Sequence, residues 1–320
     1  MSEQKIIAVT GATGAQGGGL VRAILADPSG QFKPRAITRH PKRPPAQALA
    51  DAGAEVIAAN VDDPTSLRRA FEGVYGVFGV TFFWEHFSAE KECTEAGYMA
   101  EAAKQAGVQH VIWSTLEDTR RFIPLDDDRM PTLQGKYKVP HFDGKGEANA
   151  QFKKAGVPTT FLLTSFYWEN FIFFGAGPRR GADGRLALVM PMGDKKLPGI
   201  AVNDIGKSVV GILKQGREFI GETVGIAGEH LSGAELAAAM TRVVGETVNY
   251  QDVPPEIYRG FDFPGADDMA NMFQFKRDFN DYYRGARSVE FTRSLNPELQ
   301  TFDQRLTRNA SRIPIEAVAG

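Results

Sequence analysis

Between Thr10 and Leu20 the chain reads Gly11-Ala12-Thr13-Gly14-Ala15-Gln16-Gly17. Residues without a Cβ let a strand turn tightly into a helix, and the helix start presents N–H groups to an anion. The flanks carry the right patterns. Ile6-Ile7-Ala8-Val9-Thr10 is a strand candidate, and Leu20, Val21, Ile24 and Leu25 share one helical face. In that setting Gly11, Thr13, Gly14, Ala15, Gln16 and Gly17 read as a cradle for a dinucleotide pyrophosphate, spaced G-x-x-G-x-x-G rather than G-x-G-x-x-G. The plain alternative is an ordinary strand–helix turn.

The end of the second strand selects the cofactor. An Asp or Glu there would hold a ribose 2′-OH, as in NAD-binding folds. The chain has Thr38-Arg39-His40-Pro41-Lys42-Arg43 instead. Arg39 can grip a 2′-phosphate bidentately and Lys42 or Arg43 can add a second cation, so NADP(H) is the expected cofactor. A solvated basic loop is the competing reading. Asp62 and Asp63 follow the third strand, where one can accept from the adenine amino group or cap the helix at Pro64. Thr81, Phe82 and Phe83 follow the fourth strand and would border the ribose and nicotinamide; for the Phe pair, apolar core is the alternative.

His141-Phe142-Asp143-Gly144-Lys145 bears on chemistry. A Tyr-x-x-x-Lys pair lets lysine bind the nicotinamide ribose while tyrosine donates the proton that accompanies hydride transfer. Lys145 fills the lysine position and His141 the tyrosine position, four residues apart on one helical face. His141 is either an acid working near neutral pH or a structural ring beside an aromatic.

The elements needed to place these residues are legible in outline. Further strands are expected at 35–38, 55–58, 77–81, 110–114 and 160–163, with helices near 65–72, 89–106 and 144–155. This alternation implies an α/β, Rossmann doubly wound parallel sheet. A smaller, discontinuous α/β C-terminal domain would complete a cleft. The expected division is 1–165, with a returning segment 200–228, against 166–199 plus 229–320. Ser232 with Glu235 has capping-box spacing ahead of a helix to Val244. The stretch 117–143, with Pro124, Pro131, Pro140 and Asp126-Asp127-Asp128, reads as a long irregular loop, either a lid or a solvated insertion. The triple Asp is read as a solvated acidic turn, and no metal site is expected.

Composition excludes several classes. The 320 residues are 42% hydrophobic and 24% charged with a net charge of −2, so no global field favours direct nucleic-acid binding. The single cysteine, Cys93, permits no intrachain disulfide. No apolar run is long enough for a membrane span. The first strand begins by Lys5 or Ile6, leaving no room for a leader. A cytoplasmic protein is expected, or a nuclear one if the source is eukaryotic.

These motifs resemble the NmrA-like family of atypical short-chain dehydrogenases. The resemblance rests on Gly11 to Gly17, Thr38-Arg39-His40-Pro41, Asp62-Asp63, His141 to Glu147, Phe166-Tyr167-Trp168-Glu169-Asn170, and Phe263-Pro264-Gly265-Ala266-Asp267-Asp268-Met269-Ala270-Asn271-Met272-Phe273. It implies that Arg39 holds the 2′-phosphate and that Lys145, Phe166 and Tyr167 line the nicotinamide end. It also implies a redox sensor acting through shape or a regulatory protein partner. The alternative is an NADPH-dependent reductase of a small apolar carbonyl or enone substrate, using Lys145 with Tyr137, His141 or Tyr167 as proton donor and the aromatics at 166–174 as pocket. Oligomerisation is left open.

Overall fold

The computed structural model describes residues 4–173 and 175–315. Phe174, the last of the aromatic run, lies outside the described residues. Two compact units emerge. The first runs to Asp118 and takes in Pro140–Thr164 and Asn203–Val224; the second takes Thr119–Val139, Ser165–Val202 and the chain from Gly225 onward.

The first unit is built on β1 (Lys5–Val9), β2 (Phe32–Thr38), β3 (Glu55–Ala58), β4 (Gly76–Gly79), β5 (His110–Thr115) and β6 (Thr159–Leu163). The strand order is β3-β2-β1-β4-β5-β6, and Thr223–Gly225 adds a seventh strand beside β6. Every pairing among β1–β6 is parallel. The order reverses between β1 and β4, the switch point at which doubly wound sheets bind ligands. Thr10 fixes that point: its hydroxyl accepts the Val80 N–H at 2.8 Å and sits 3.1 Å from the Val80 carbonyl.

Five helices follow the strands: α1 (Ala15–Ala26), α2 (Pro44–Asp51), α3 (Pro64–Phe71), α4 (Ala89–Gln105) and α5 (Pro140–Ala155). One core joins Leu67 and Phe71 of α3, Ala96 and Met99 of α4, and Ala148 and Phe152 of α5 to Val77, Val111, Trp113 and Phe161 of the sheet. Elsewhere α1 meets the helix Val202–Lys214 at glycine. A Cβ on Gly206 would lie 2.5 Å from the Gly19 carbonyl, so the two backbones touch. The expected strands and helices are present, with shifted ends. β4 stops at Gly79, which frees Val80 and Thr81 from the sheet, and α5 starts at Pro140, four residues early. The sequence reading missed α2, which opens on Pro44-Pro45, residues suited to a first helical turn.

The second unit holds two three-stranded sheets. One orders Glu229–Ser232, Lys196–Ile200 and Phe166–Tyr167; the other orders Val248–Asp252, Leu186–Met190 and Arg179–Arg180. The Ser232 capping box is present, with the Glu235 carboxylate accepting the Ser232 N–H at 2.7 Å. Trp168 is buried against glycine, since a Cβ on Gly228 would meet its ring at 2.6 Å.

The stretch expected to be a long irregular loop is irregular as far as Val139, and α5 takes over from Pro140. A short helical turn forms at Thr119–Arg121 and an isolated bridge joins Leu133 to Tyr137. Segment 119–139 groups with the second unit rather than with the Rossmann sheet, for a reason that can be named. On the helix Ala266–Asp278, Asn271 donates to the Pro131 and Lys138 carbonyls at 3.0 and 2.6 Å, and Gln274 donates to the Arg129 carbonyl at 2.7 Å. Buried Lys138 closes the loop by donating to the carbonyls of Asp127 and Met130. Asp127 is held by Arg129, whose guanidinium lowers its pKa to about 2.

Candidate functional site

The glycine turn has the geometry its spacing implies. Gly11 sits at φ +58°, where a side chain is strained. A Cβ on Gly17 would lie 2.4 Å from the Gly11 carbonyl and 2.6 Å from the Thr10 carbonyl, so α1 packs directly on the end of β1. Gly14 is the N-cap of α1, and no side chain caps the helix. Gly11, Thr13, Gly14 and Ala15 are exposed. Gln16 turns inward and accepts a hydrogen bond from Ser114 at 2.8 Å.

Lys145 is placed by its flanking glycines. A Cβ on Gly144 would meet Ala89 at 2.9 Å, and one on Gly146 would meet the Asp118 backbone at 2.5 Å. These close approaches let α5 press against the start of α4 at Gly144 and against the chain after β5 at Gly146. The Lys145 ammonium then lies 2.7 Å from Glu92 Oε2 and 2.7 Å from Thr81 Oγ1, and 5.5 Å over the Trp113 ring. Thr81 donates to the same Glu92 oxygen at 2.6 Å. The Glu92 side chain has no exposed surface, so a buried charge pair sits beside the switch point, satisfied on the lysine side by three partners.

On the other side of Glu92 lies His86. Its Nδ1 accepts the Ser88 N–H at 3.1 Å, so the neutral ring carries its proton on Nε2. That N–H faces Glu92 Oε1 and Glu95 Oε1, each 3.8 Å away. His86, Glu92 and Glu95 form the one group with metal-ligand spacing among the described residues. A metal on Nε2 would require the proton to move to Nδ1 and break the Ser88 bond, so the tautomer opposes coordination there. Burial lowers the pKa of His86. Burial, with Asp62 and Glu92 nearby, raises that of Glu95 to about 8.

Glu95 has a consequence for stability. Its pKa rises from 4.5 to about 8 on folding. A raised acid contributes stability fully below pH 4.5, and that contribution is lost as pH climbs through 8. Lys91, 3.8 Å away at the solvent edge, opposes the shift and softens the effect. Glu95→Gln is expected to be more stable than the wild type by about 1–2 kcal/mol at pH 9 and no more stable at pH 4. Thermal melts across that range check it; parallel curves for the two proteins refute it.

The other sequence candidates have surroundings of their own. Arg39 is bound bidentately by Glu85, at 2.5 and 3.1 Å. Lys42 is exposed. Asp63 caps α3 through the Thr65 N–H at 2.9 Å, and Asp62 pairs with Lys91 at 3.1 Å. Of the Phe pair, Phe83 is buried and Phe82 exposed. His141 is buried with its ring 4.9 Å from Trp84, 5.9 Å from Phe83 and 4.8 Å from Phe142. Phe166 and Tyr167 belong to the second unit, where Phe166 packs on Phe171 and Phe273. Glu85, His86, Glu92 and Glu95 were not anticipated. One signal was available: Glu92 and Glu95 fall in register with Ala89, Ala96 and Met99 on the buried face of α4.

A family model described as the NmrA-like family matches residues 3–313. The chain belongs to the NmrA-like family. It is 29% identical over 305 residues to the NmrA-like family domain-containing oxidoreductase hkm9 of Aspergillus hancockii, covering 89% of this chain and 87% of that protein. A solved structure of NmrA, a negative transcriptional regulator, in complex with NADP superposes with a TM-score of 0.77 at 22% identity, over 96% of this chain and 95% of that one. The same regulator in complex with NAD gives 0.78 at 22% identity, with the same coverage. The NmrA-like assignment agrees with the doubly wound sheet and the smaller C-terminal region. No helix among the described residues is long and apolar enough to cross a membrane.

Proposed function

We infer that this NmrA-like chain binds NADP(H) at the Gly11–Gly17 turn and acts as a redox sensor or regulator, its occupancy changing its shape or its contact with a regulatory protein. The residues fit the cofactor. The turn leaves no room for a Cβ at Gly17, the start of α1 bears no side-chain cap, and Arg39 follows β2, where a 2′-phosphate would be read. Lys145 would hold the nicotinamide ribose, and Thr81 and Glu92 fix its ammonium.

One observation carries the choice of sensor. The acid position of the Tyr-x-x-x-Lys pair is His141, a buried ring packed among Phe83, Trp84 and Phe142. Bound cofactor supplies hydride chemistry, but no tyrosyl proton donor stands four residues before Lys145. Full-length protein with NADPH at a hundred times its Kd should gain about 2.7 kcal/mol of stability. It should also show no NADPH oxidation across a panel of carbonyls and enones. Steady turnover of any panel member would sink the sensor reading.

A second reading has its own support. The buried Lys145–Glu92–Thr81 set is more than a scaffold needs, and the relative hkm9 is named an oxidoreductase. An NADPH-dependent reductase without tyrosine suits acceptors that delocalise the charge delivered with hydride, such as enones, because these need no strong acid in the transition state. Under this reading, turnover falls at least tenfold in Lys145→Ala.

A further inference from the structure

Arg39 does not wait for a ligand as an open cation. Both its terminal nitrogens engage both oxygens of Glu85, and the pairing raises the Arg39 pKa and lowers that of Glu85. Glu85 follows β4 in the short turn Phe83–Glu85, while Arg39 follows β2, so the pair bridges the two sides of β1. Both side chains are about half exposed, 48% and 45%. The surroundings add more negative charge: Asp62 and Glu95 also act on Arg39, while the nearby Lys91 is taken up by Asp62.

We propose that Glu85 is a specificity-determining residue that competes with the cofactor's 2′-phosphate for Arg39, and so restrains the preference for NADP(H) over NAD(H). This rests on the reading of Arg39 as the 2′-phosphate ligand. The two anions ask for the same thing, since a carboxylate and a phosphate each accept two parallel N–H bonds from one guanidinium. A dianionic phosphate brought to Arg39 must displace Glu85 or lie against it, and like charge at that distance opposes binding. NAD(H) brings no such charge and leaves the pair intact.

Displacement also has a structural reach. Glu85 ends the turn that carries Phe83 and Trp84, and both rings pack on His141. Releasing Glu85 from Arg39 removes the tether of that turn on the β2 side. A cofactor with a 2′-phosphate therefore changes the restraint on the rings beside His141, and one without it does not. For a sensor, this separates the phosphorylated from the unphosphorylated pool.

The test uses the full chain and calorimetric titration of NADP+ and NAD+ into wild type, Glu85→Gln and Arg39→Ala. Glu85→Gln keeps the shape and removes the rival charge. It should bind NADP+ about fivefold more tightly, with NAD+ affinity held within about twofold. Equal changes for both dinucleotides, or none for either, overturn the role of Glu85. Arg39→Ala separates the two layers. A loss of NADP+ affinity in Arg39→Ala, with Glu85→Gln inert, refutes the rivalry alone. An unchanged NADP+ affinity in Arg39→Ala refutes the underlying phosphate reading as well.

Discussion

Lys145→Met is expected to cost about 3–5 kcal/mol of folding stability, far more than a surface lysine would. Removing the ammonium leaves Glu92, whose side chain is wholly buried, with only the Thr81 hydroxyl at 2.6 Å and a His86 N–H at 3.8 Å. An uncompensated carboxylate in such a place is among the few single changes that unfold a domain. The design separates this from a catalytic or binding role. Adding Glu92→Leu removes the stranded charge, and the double variant should recover most of the lost stability by chemical denaturation. It should not recover NADP(H) affinity, because the lysine that would hold the ribose is still absent. Recovery of both would mean that Lys145 serves the fold alone. A small loss in the single variant would show that Glu92 reaches water.

This pair marks the boundary of what the sequence discloses. The glycine turn was legible because its requirement is local: a strand, a tight turn and a helix within about twenty residues. The strands followed from apolar runs, and Lys145 and His141 from a four-residue spacing. Glu92 is different. Its partner lies on another helix, and nothing in the order of residues says that Gly144 lets the two helices touch. Burial on one face of α4 was readable from its 3–4 spacing, yet a glutamate there could equally have been a solvated charge at the edge of the stripe.

The same holds for Arg39. Its chemistry as an anion ligand is evident from residue type and from the missing carboxylate after β2. Its present partner comes 46 residues later, from the turn after β4, and only the order of strands in the sheet brings the two together. The anchoring of segment 119–139 was hidden for a related reason. Prolines and acids mark it as irregular, and it is; what holds it is Asn271 and Gln274, more than 130 residues away. Those two fall within or just after the family motif around Met269, so part of that motif's work is to pin a loop. The domain boundary shifts with it, because a loop follows its hydrogen bonds rather than its neighbours in the chain.

Gly17→Ala is the second large effect expected, and it tests the turn itself. The chain spells Gly17-Gly18-Gly19, and sequence alone does not rank them. Geometry does for the first two. A methyl on Gly17 would sit 2.4 Å from the Gly11 carbonyl and 2.7 Å from its carbon, where only backbone can yield. A methyl on Gly18 meets nothing nearer than the Ala12 carbonyl at 3.1 Å, and one on Gly14 meets the Gly11 carbonyl at 3.2 Å. Gly17→Ala must push α1 away from β1, at a cost of about 2–3 kcal/mol. The start of α1 moves with it, so dinucleotide affinity should fall at least tenfold, for NAD+ as for NADP+. Gly14→Ala is the control: its contacts can give by tenths of an ångström, and its stability should stay within about 1 kcal/mol of wild type. Calorimetric titration and denaturant melts on the two variants decide the matter. If Gly17→Ala binds both dinucleotides as tightly as the parent, the cradle does not sit at this turn. Equal losses for both dinucleotides at Gly17, set against a loss confined to NADP+ at Arg39, would assign the pyrophosphate to one residue and the 2′-phosphate to the other.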